Sequence, residues 1–89
     1  MLTASVVIYH SKKEEIESLL KSVKISDCVD RLYVIDNDST EENRSYFEAC
    51  ELSSIVEYIS HENTGYGSSH NIALHKAIEV GSDYHIVLN

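Results

Sequence analysis

Apolar and polar positions alternate along this chain in two different rhythms. Thr3 to Tyr9 (TASVVIY) is short, apolar and rich in β-branched residues, the pattern of a strand covered on both faces. From Lys12 to Val23 the apolar residues fall at Ile16, Leu19, Leu20 and Val23, which is one face of a helix, and Ser11 is placed to cap it. Arg31 to Asp36 (RLYVID) reads as a second buried strand. Asn37 to Thr40 then turns the chain, with Ser39 or Thr40 capping a helix that carries Glu41 and Glu42 in its first turn and Tyr46, Phe47 and Cys50 on its inner face. Ser54 to Ser60 predicts a third strand. Ser68 to Val80 predicts a third helix, with Ile72, Ala73, Ala77, Ile78 and Val80 as its apolar side and Gly81 as its C-cap. Tyr84 to Leu88 predicts a fourth strand.

Strands that alternate with amphipathic helices predict an α/β fold with a mostly parallel sheet and right-handed crossovers. The expected strand order is 3-2-1-4, with helices on both faces and a switch point between strands 1 and 4. The 89 residues fit a single domain. The sequence stops at Asn89, at the carboxyl end of the fourth strand, and we read it as the N-terminal segment of a longer protein. Such a segment is expected to expose apolar surface there and to self-associate.

Composition narrows the function. A net charge of −8 argues against a nucleic-acid surface, which needs a basic patch. It also means that a phosphate ligand would need a helix N-terminus or a divalent cation beside it. Cys28 and Cys50 form no CxxC pair and read as free thiols. The histidines at 10, 61, 70, 75 and 85 have no metal-ligand spacing. Ser68 and Ser69 read as caps, because no GxSxG elbow accompanies them.

Parallel topology brings every strand-to-helix loop to one edge, so Tyr9-His10-Ser11, Asp36 to Ser39 and Asn63 to Gly67 should meet. Asp36 ends an apolar strand and needs partners. It is either an acceptor for a base N–H or ribose hydroxyls, or a cap on backbone N–H groups. Gly65 and Gly67 permit positive φ and close backbone approach, and their loop feeds a helix start. Asn71, four residues past Gly67, could reach back to that loop. A purely structural turn fits the same residues. Asp38 is expected to point into solvent or to cap the next helix.

Laid side by side, these stretches resemble the N-terminal half of family 2 glycosyltransferases with the GT-A fold. VVIYHS (Val6 to Ser11) stands where the family has an apolar strand and T-Y-N. VIDNDS (Val34 to Ser39) matches V-V-D-N-x-S, NTGYGSSHN (Asn63 to Asn71) matches N-x-G-[FY]-G-x-x-x-N, and YHIVLN (Tyr84 to Asn89) matches a strand followed by L-N-P-D. The NTGYG form looks most like the rhamnosyltransferase branch, which builds bacterial surface polysaccharides. His10-Ser11 departs from the family pattern.

The resemblance implies an inverting transferase that moves a sugar from a UDP- or dTDP-sugar to a saccharide or lipid-linked acceptor. It would work in the cytoplasm or at the inner face of the membrane. It implies nucleotide-sugar contacts from Tyr9, His10, Asp36, Asn37, Ser39, Asn63, Gly65, Tyr66, Gly67 and Asn71, with Asp36 on the pyrimidine and Tyr9 in the base pocket. It implies a Mg2+ or Mn2+ site and a general base that both follow Asn89, so the 89 residues alone should not catalyse transfer. The alternative is a small non-catalytic nucleotide-binding or regulatory α/β module. Receiver domains, nucleotidyltransferases and Rossmann dehydrogenases fit less well. The first would need a late-strand lysine, and the other two a glycine-rich loop after strand 1.

Overall fold

The computed structural model describes residues 1–61 and 66–88. Seven elements alternate: β1 (Leu2–Ile8), α1 (Lys13–Ser26), β2 (Arg31–Asp36), α2 (Glu41–Ala49), β3 (Val56–Ser60), α3 (Tyr66–Glu79) and β4 (Tyr84–Leu88). The strands form one sheet in the order β3-β2-β1-β4, and every neighbouring pair is parallel. Right-handed crossovers explain where the helices lie. The chain steps the same way from β1 to β2 to β3, which puts α1 and α2 on one face. It then reverses to reach β4, which puts α3 on the other.

The two layers differ in substance. Ala4, Val6, Ile8, Leu32 and Val34 of the sheet meet Ile16, Leu20 and Val23 of α1 and Phe47 of α2. On the opposite face Tyr33 and Ile35 meet the small Ala73 and Ala77 of α3, with the partly buried Val7, Ile59 and Ile72 packed against them. A fully buried large aliphatic or aromatic side chain stabilises by about 1.5–3 kcal/mol, so the α1/α2 layer carries most of the apolar burial. The α3 layer is also more polar, since Thr3, Ser5 and Ser69 are buried there.

Several boundaries differ from those the sequence predicts. Ser11 does not cap α1. The N-cap is Lys12, with no side-chain bond, and its carbonyl accepts from the N–H groups of Glu15 and Ile16. Just upstream, His10 adopts a left-handed φ of 54°, so the chain turns before the helix begins. At the other end α1 continues past Val23 to Ser26, until Asp27 takes a left-handed φ of 50°. β3 starts at Val56 and not Ser54, because Ile55 and Val56 first close a turn on the Leu52 carbonyl. Ile78 and Val80 do not belong to the buried side of α3. Ala73 and Ala77, one turn apart, set that line, and Ile78 is 75% exposed.

Gly81 does end α3 as expected. At φ 73° it donates to the Ile78 carbonyl, and the Ser82 N–H donates to that of Ala77, the two bonds of a Schellman cap. Cys28 is exposed and Cys50 half-buried, both as free thiols. Among the described residues, no helix is long and apolar enough to cross a membrane. β4 lies at one side of the sheet, and its Tyr84, Ile86 and Val87 are exposed.

One imidazole fastens that strand to its neighbour. His85 Nδ1 lies 2.7 Å from Thr3 Oγ1, and its Nε2 lies 2.9 Å from Ser5 Oγ. Burial, with a smaller contribution from His70, pushes the His85 pKa below the usual histidine value. Below about pH 6.5 the unfolded chain therefore binds a proton here that the folded chain refuses. Stability should be full above that pH and fall as pH drops, by at most about 1.4 kcal/mol per pH unit from this residue. Urea midpoints at pH 7 and pH 5.5 measure the loss, and His85→Gln should shrink it. An identical pH dependence in both proteins would show that His85 is protonated freely within the fold.

Candidate functional site

The register sets Ile8 beside Asp36 and Asp36 beside Ser60, so the strands end level and their following loops share one edge. The Asn37 N–H donates to the Ile8 carbonyl at 2.9 Å, and the His61 N–H donates to that of Asp36 at 3.0 Å. These bonds continue the ladder one residue past the strands and hold the loops at fixed height.

Asp36 is 1% exposed. Its Oδ1 accepts the Asp38 N–H at 2.9 Å. Its Oδ2 accepts the Tyr58 hydroxyl at 2.6 Å and the Asn43 amide at 3.0 Å. The sequence left two roles open for this carboxylate, and backbone capping is present here together with two side-chain bonds. Since Tyr58 gives its proton to Asp36, the Ser39 hydroxyl 2.8 Å away donates to the Tyr58 oxygen. Burial, and then the bond to Asp36, push the Tyr58 phenol up to about 12, so it remains a donor at any ordinary pH. Its ring stacks on Phe47 at 5.4 Å, and the Arg44 guanidinium lies 5.2 Å from its centroid on the ring face. Asn43 is the third residue of α2, and its backbone N–H is taken by the capping Thr40 hydroxyl. The one residue thus ties the helix start to both its cap and Asp36.

Asn37 points to the opposite face. It is 8% exposed, and its Oδ1 accepts the Ser69 hydroxyl of α3 at 2.8 Å. Consecutive residues therefore fasten the end of β2 to α2 on one side and to α3 on the other.

The accessible chemistry at this edge lies above these bonds. His10 Nδ1 is 2.9 Å from Asp38 Oδ2, which links the loop after β1 to the loop after β2. Asp38 is exposed, as the sequence suggested, but its Oδ2 is paired with His10; the cap of α2 is Thr40. The Tyr9 ring is half exposed and sits 4.1 Å from the imidazole, centroid to centroid, tilted by 57°. A cleft of about 570 Å³ opens beside them between the starts of α1 and α2, lined among others by His10, Ser11, Lys13, Asp38, Thr40 and Asn43. That volume falls within the usual range of small-molecule sites. A second cleft, of about 510 Å³, lies at the far ends of the same two helices, away from the strand ends.

No protein-family model, curated protein or solved structure matches this chain.

Of the residues the sequence singled out, the structure gathers Tyr9, His10, Asp36, Asn37 and Ser39 at one edge. Asn63 and Gly65 lie outside the described residues, and Tyr66 opens α3. Gly67 does not serve as a positive-φ hinge. It falls in the first turn of α3, and a Cβ there would meet nothing within 4 Å. Asn71 is exposed on the same helix. Among the described residues, no three His, Cys, Asp or Glu side chains gather to hold a metal ion. His10 and Asp38 supply only two donors, so no step through a metal is assigned to this chain.

Sequence reasoning missed Tyr58, Asn43 and Ser69. Alternation places Tyr58 on the same face as Ser60, but only the register, which pairs Ser60 with Asp36, brings it to the carboxylate.

Two outcomes follow from these bonds. Tyr58→Phe removes a donor from a buried carboxylate and should lower stability by about 1.5–3 kcal/mol. Urea unfolding measures it, and a midpoint equal to wild type would mean that water replaces the phenol. Gly67→Ala should raise stability by up to about 1 kcal/mol, because alanine is the better helix residue and has room. A fall in melting temperature would show that the glycine is needed for its backbone.

Proposed function

We propose that the chain is the nucleotide-sugar-binding part of an inverting glycosyltransferase of the family 2 type, taking a UDP- or dTDP-sugar as donor. The observation that carries this reading is the meeting of the β1 and β2 loops at the carboxyl edge of a parallel 3-2-1-4 sheet, with Tyr9, His10 and Asp38 accessible there. Ligands of open α/β sheets bind at this edge. The four motifs, in family order, support the same reading.

In such a transfer an acceptor hydroxyl attacks the anomeric carbon, the bond from that carbon to the diphosphate oxygen breaks, and the nucleoside diphosphate leaves. A positioned carboxylate takes the hydroxyl proton. Mg2+ or Mn2+ would supply charge neutralisation on the leaving diphosphate, which an acidic chain with a net charge of −8 needs from outside. Neither the base nor the cation site is assigned to these residues. Their share is to bind and orient the nucleoside. The acceptor is a saccharide or lipid-linked saccharide of a surface polysaccharide, and the reaction takes place in the cytoplasm or at the inner face of the membrane, where nucleotide sugars are available.

Calorimetric titration of the chain with UDP and with dTDP, with and without Mg2+ or Mn2+, tests the reading. Saturable binding of at least one nucleotide is expected, with no turnover of a UDP-sugar or dTDP-sugar by these residues alone. No binding of either nucleotide at millimolar concentration would sink it.

A further inference from the structure

We propose that two copies of this chain pair through β4, antiparallel about Ile86, so that the sheet of one runs on into the sheet of the other. This gives the self-association expected from the sequence a defined surface. It rests on the fold and is independent of the nucleotide-binding reading.

The first argument is where the apolar surface lies. Nine large apolar side chains are exposed among the described residues, and six of them gather on β4, on α3 or just past its end: Leu74, Ile78, Val80, Tyr84, Ile86 and Val87. Lys76 reaches Glu57 of β3, which fixes the flank of α3 that faces that border. Helical spacing puts Leu74 and Ile78 on the opposite flank, toward β4. On the strand itself, Tyr84 and Ile86 are level with Leu2 and Ala4 and share the α1 face, while Val87 is level with Ser5 and shares the α3 face. Both faces are thus apolar beside the open edge, which is what one more strand would cover.

The second argument is the backbone. Polar groups of successive residues in a strand point to alternate sides. The Leu2 carbonyl accepts the Asp30 N–H beside β2, so the groups of Thr3 and Ser5 turn toward β4. With Thr3 level with His85 and Ser5 level with Val87, the β4 residues that meet them are Tyr84, Ile86 and Leu88. The N–H and C=O of His85 and Val87 therefore face outward, and these two residues flank Ile86 symmetrically. In an antiparallel pair centred on Ile86, His85 stands opposite Val87 of the second copy, and each such pair exchanges two N–H···O=C bonds. Ile86 then meets Ile86 of the second copy, and Tyr84 meets Leu88, so every side chain on the α1 face has an apolar partner.

The third argument is charge. A chain of net charge −8 repels its own copies. YHIVL carries no formal charge at neutral pH, and Asp83 just before it is paired with the Met1 amino group. Copies can meet at this border without burying an unpaired carboxylate. A two-fold contact of this kind is self-complementary and closed. One five-residue edge and one helix flank from each copy make a contact at the small, transient end of interface sizes, below about 1,200 Å² in total. The dimer should therefore depend on concentration, with a dissociation constant on the order of 0.1 mM, and added salt should strengthen it by screening the repulsion.

Sedimentation equilibrium of the 89-residue chain between about 10 μM and about 1 mM reads the association directly. A monomer–dimer equilibrium that tightens with NaCl is expected. Ile86→Lys sets like charges opposite each other, and Tyr84→Lys removes an apolar partner, so each should weaken the dimer about tenfold or more. Both lower the net charge, which would favour any unspecific association, so their loss marks this border. Ile25→Lys makes the same charge change on α1, where Ile25 is 75% exposed, and should leave the dimer intact. Melting temperatures in dilute solution confirm that each variant keeps its fold. In a Cys28→Ser background, Ile86→Cys should join to its own copy under mild oxidation, because such facing residues bring their Cα atoms to about 4.5 Å, within disulfide reach. Tyr84→Cys should not. A chain that stays monomeric throughout overturns the proposal and leaves the border to another occupant. Equal weakening by Ile25→Lys, or equal joining by Tyr84→Cys, would mean that copies meet elsewhere or in another register, and the proposal falls.

Discussion

A carboxylate buried at the end of β2 sets the terms for everything around it. An ionised group out of water and without partners would cost several kcal/mol, and Asp36 avoids that cost by recruiting donors from three places in the chain. They are the next loop, the first turn of α2 and the middle of β3. Each donor is itself fixed elsewhere: Asn43 by the Thr40 cap, and Tyr58 by its stacking on Phe47. The carboxyl edge of the sheet is therefore held by a polar hub level with the last core side chain of β1, Ile8. Asn37 extends the hold to the opposite layer through Ser69.

The two helical layers are attached by different physics. α1 and α2 are held by large interlocking apolar side chains, while α3 rests through two buried alanines and the partly buried Ile72 on a surface that includes hydroxyls and an imidazole. Small residues let the α3 backbone lie close to the sheet but bury little apolar area. The directional bonds to Ser69 and across His85 carry more of that layer's definition. Perturbations of polar groups will therefore be felt first on the α3 side, and loss of large side chains on the other.

Much of the fold could be read from the chain, for identifiable reasons. β2 and β4 have the predicted bounds because polar or turn residues flank their apolar runs. The strand order follows from alternation and crossover hand. The start of α1 could not be read, because Lys12 and not Ser11 is its cap, after a left-handed turn at His10 that no hydrophobic pattern announces. At the site, the meeting of Tyr9, His10 and Asp36 at one edge follows from parallel topology. What those side chains bind does not follow. Tyr58 reaches Asp36 from 22 residues away, and His10 reaches Asp38 across a loop. Such pairings depend on register and rotamer, which periodicity does not encode.

The two sides of the sheet meet solvent differently. β3 has α2 against it, and its Glu57 is paired with Lys76 of α3. β4 carries no formally charged residue in YHIVL at neutral pH, no proline and no covering helix comparable to the α1/α2 layer, and it displays Tyr84, Ile86 and Val87. Natural edge strands are commonly guarded by charge, proline or a bulge. The two borders of the sheet are thus unlike: β4 presents apolar side chains beside its open edge, whereas β3 carries a charged side chain paired to α3.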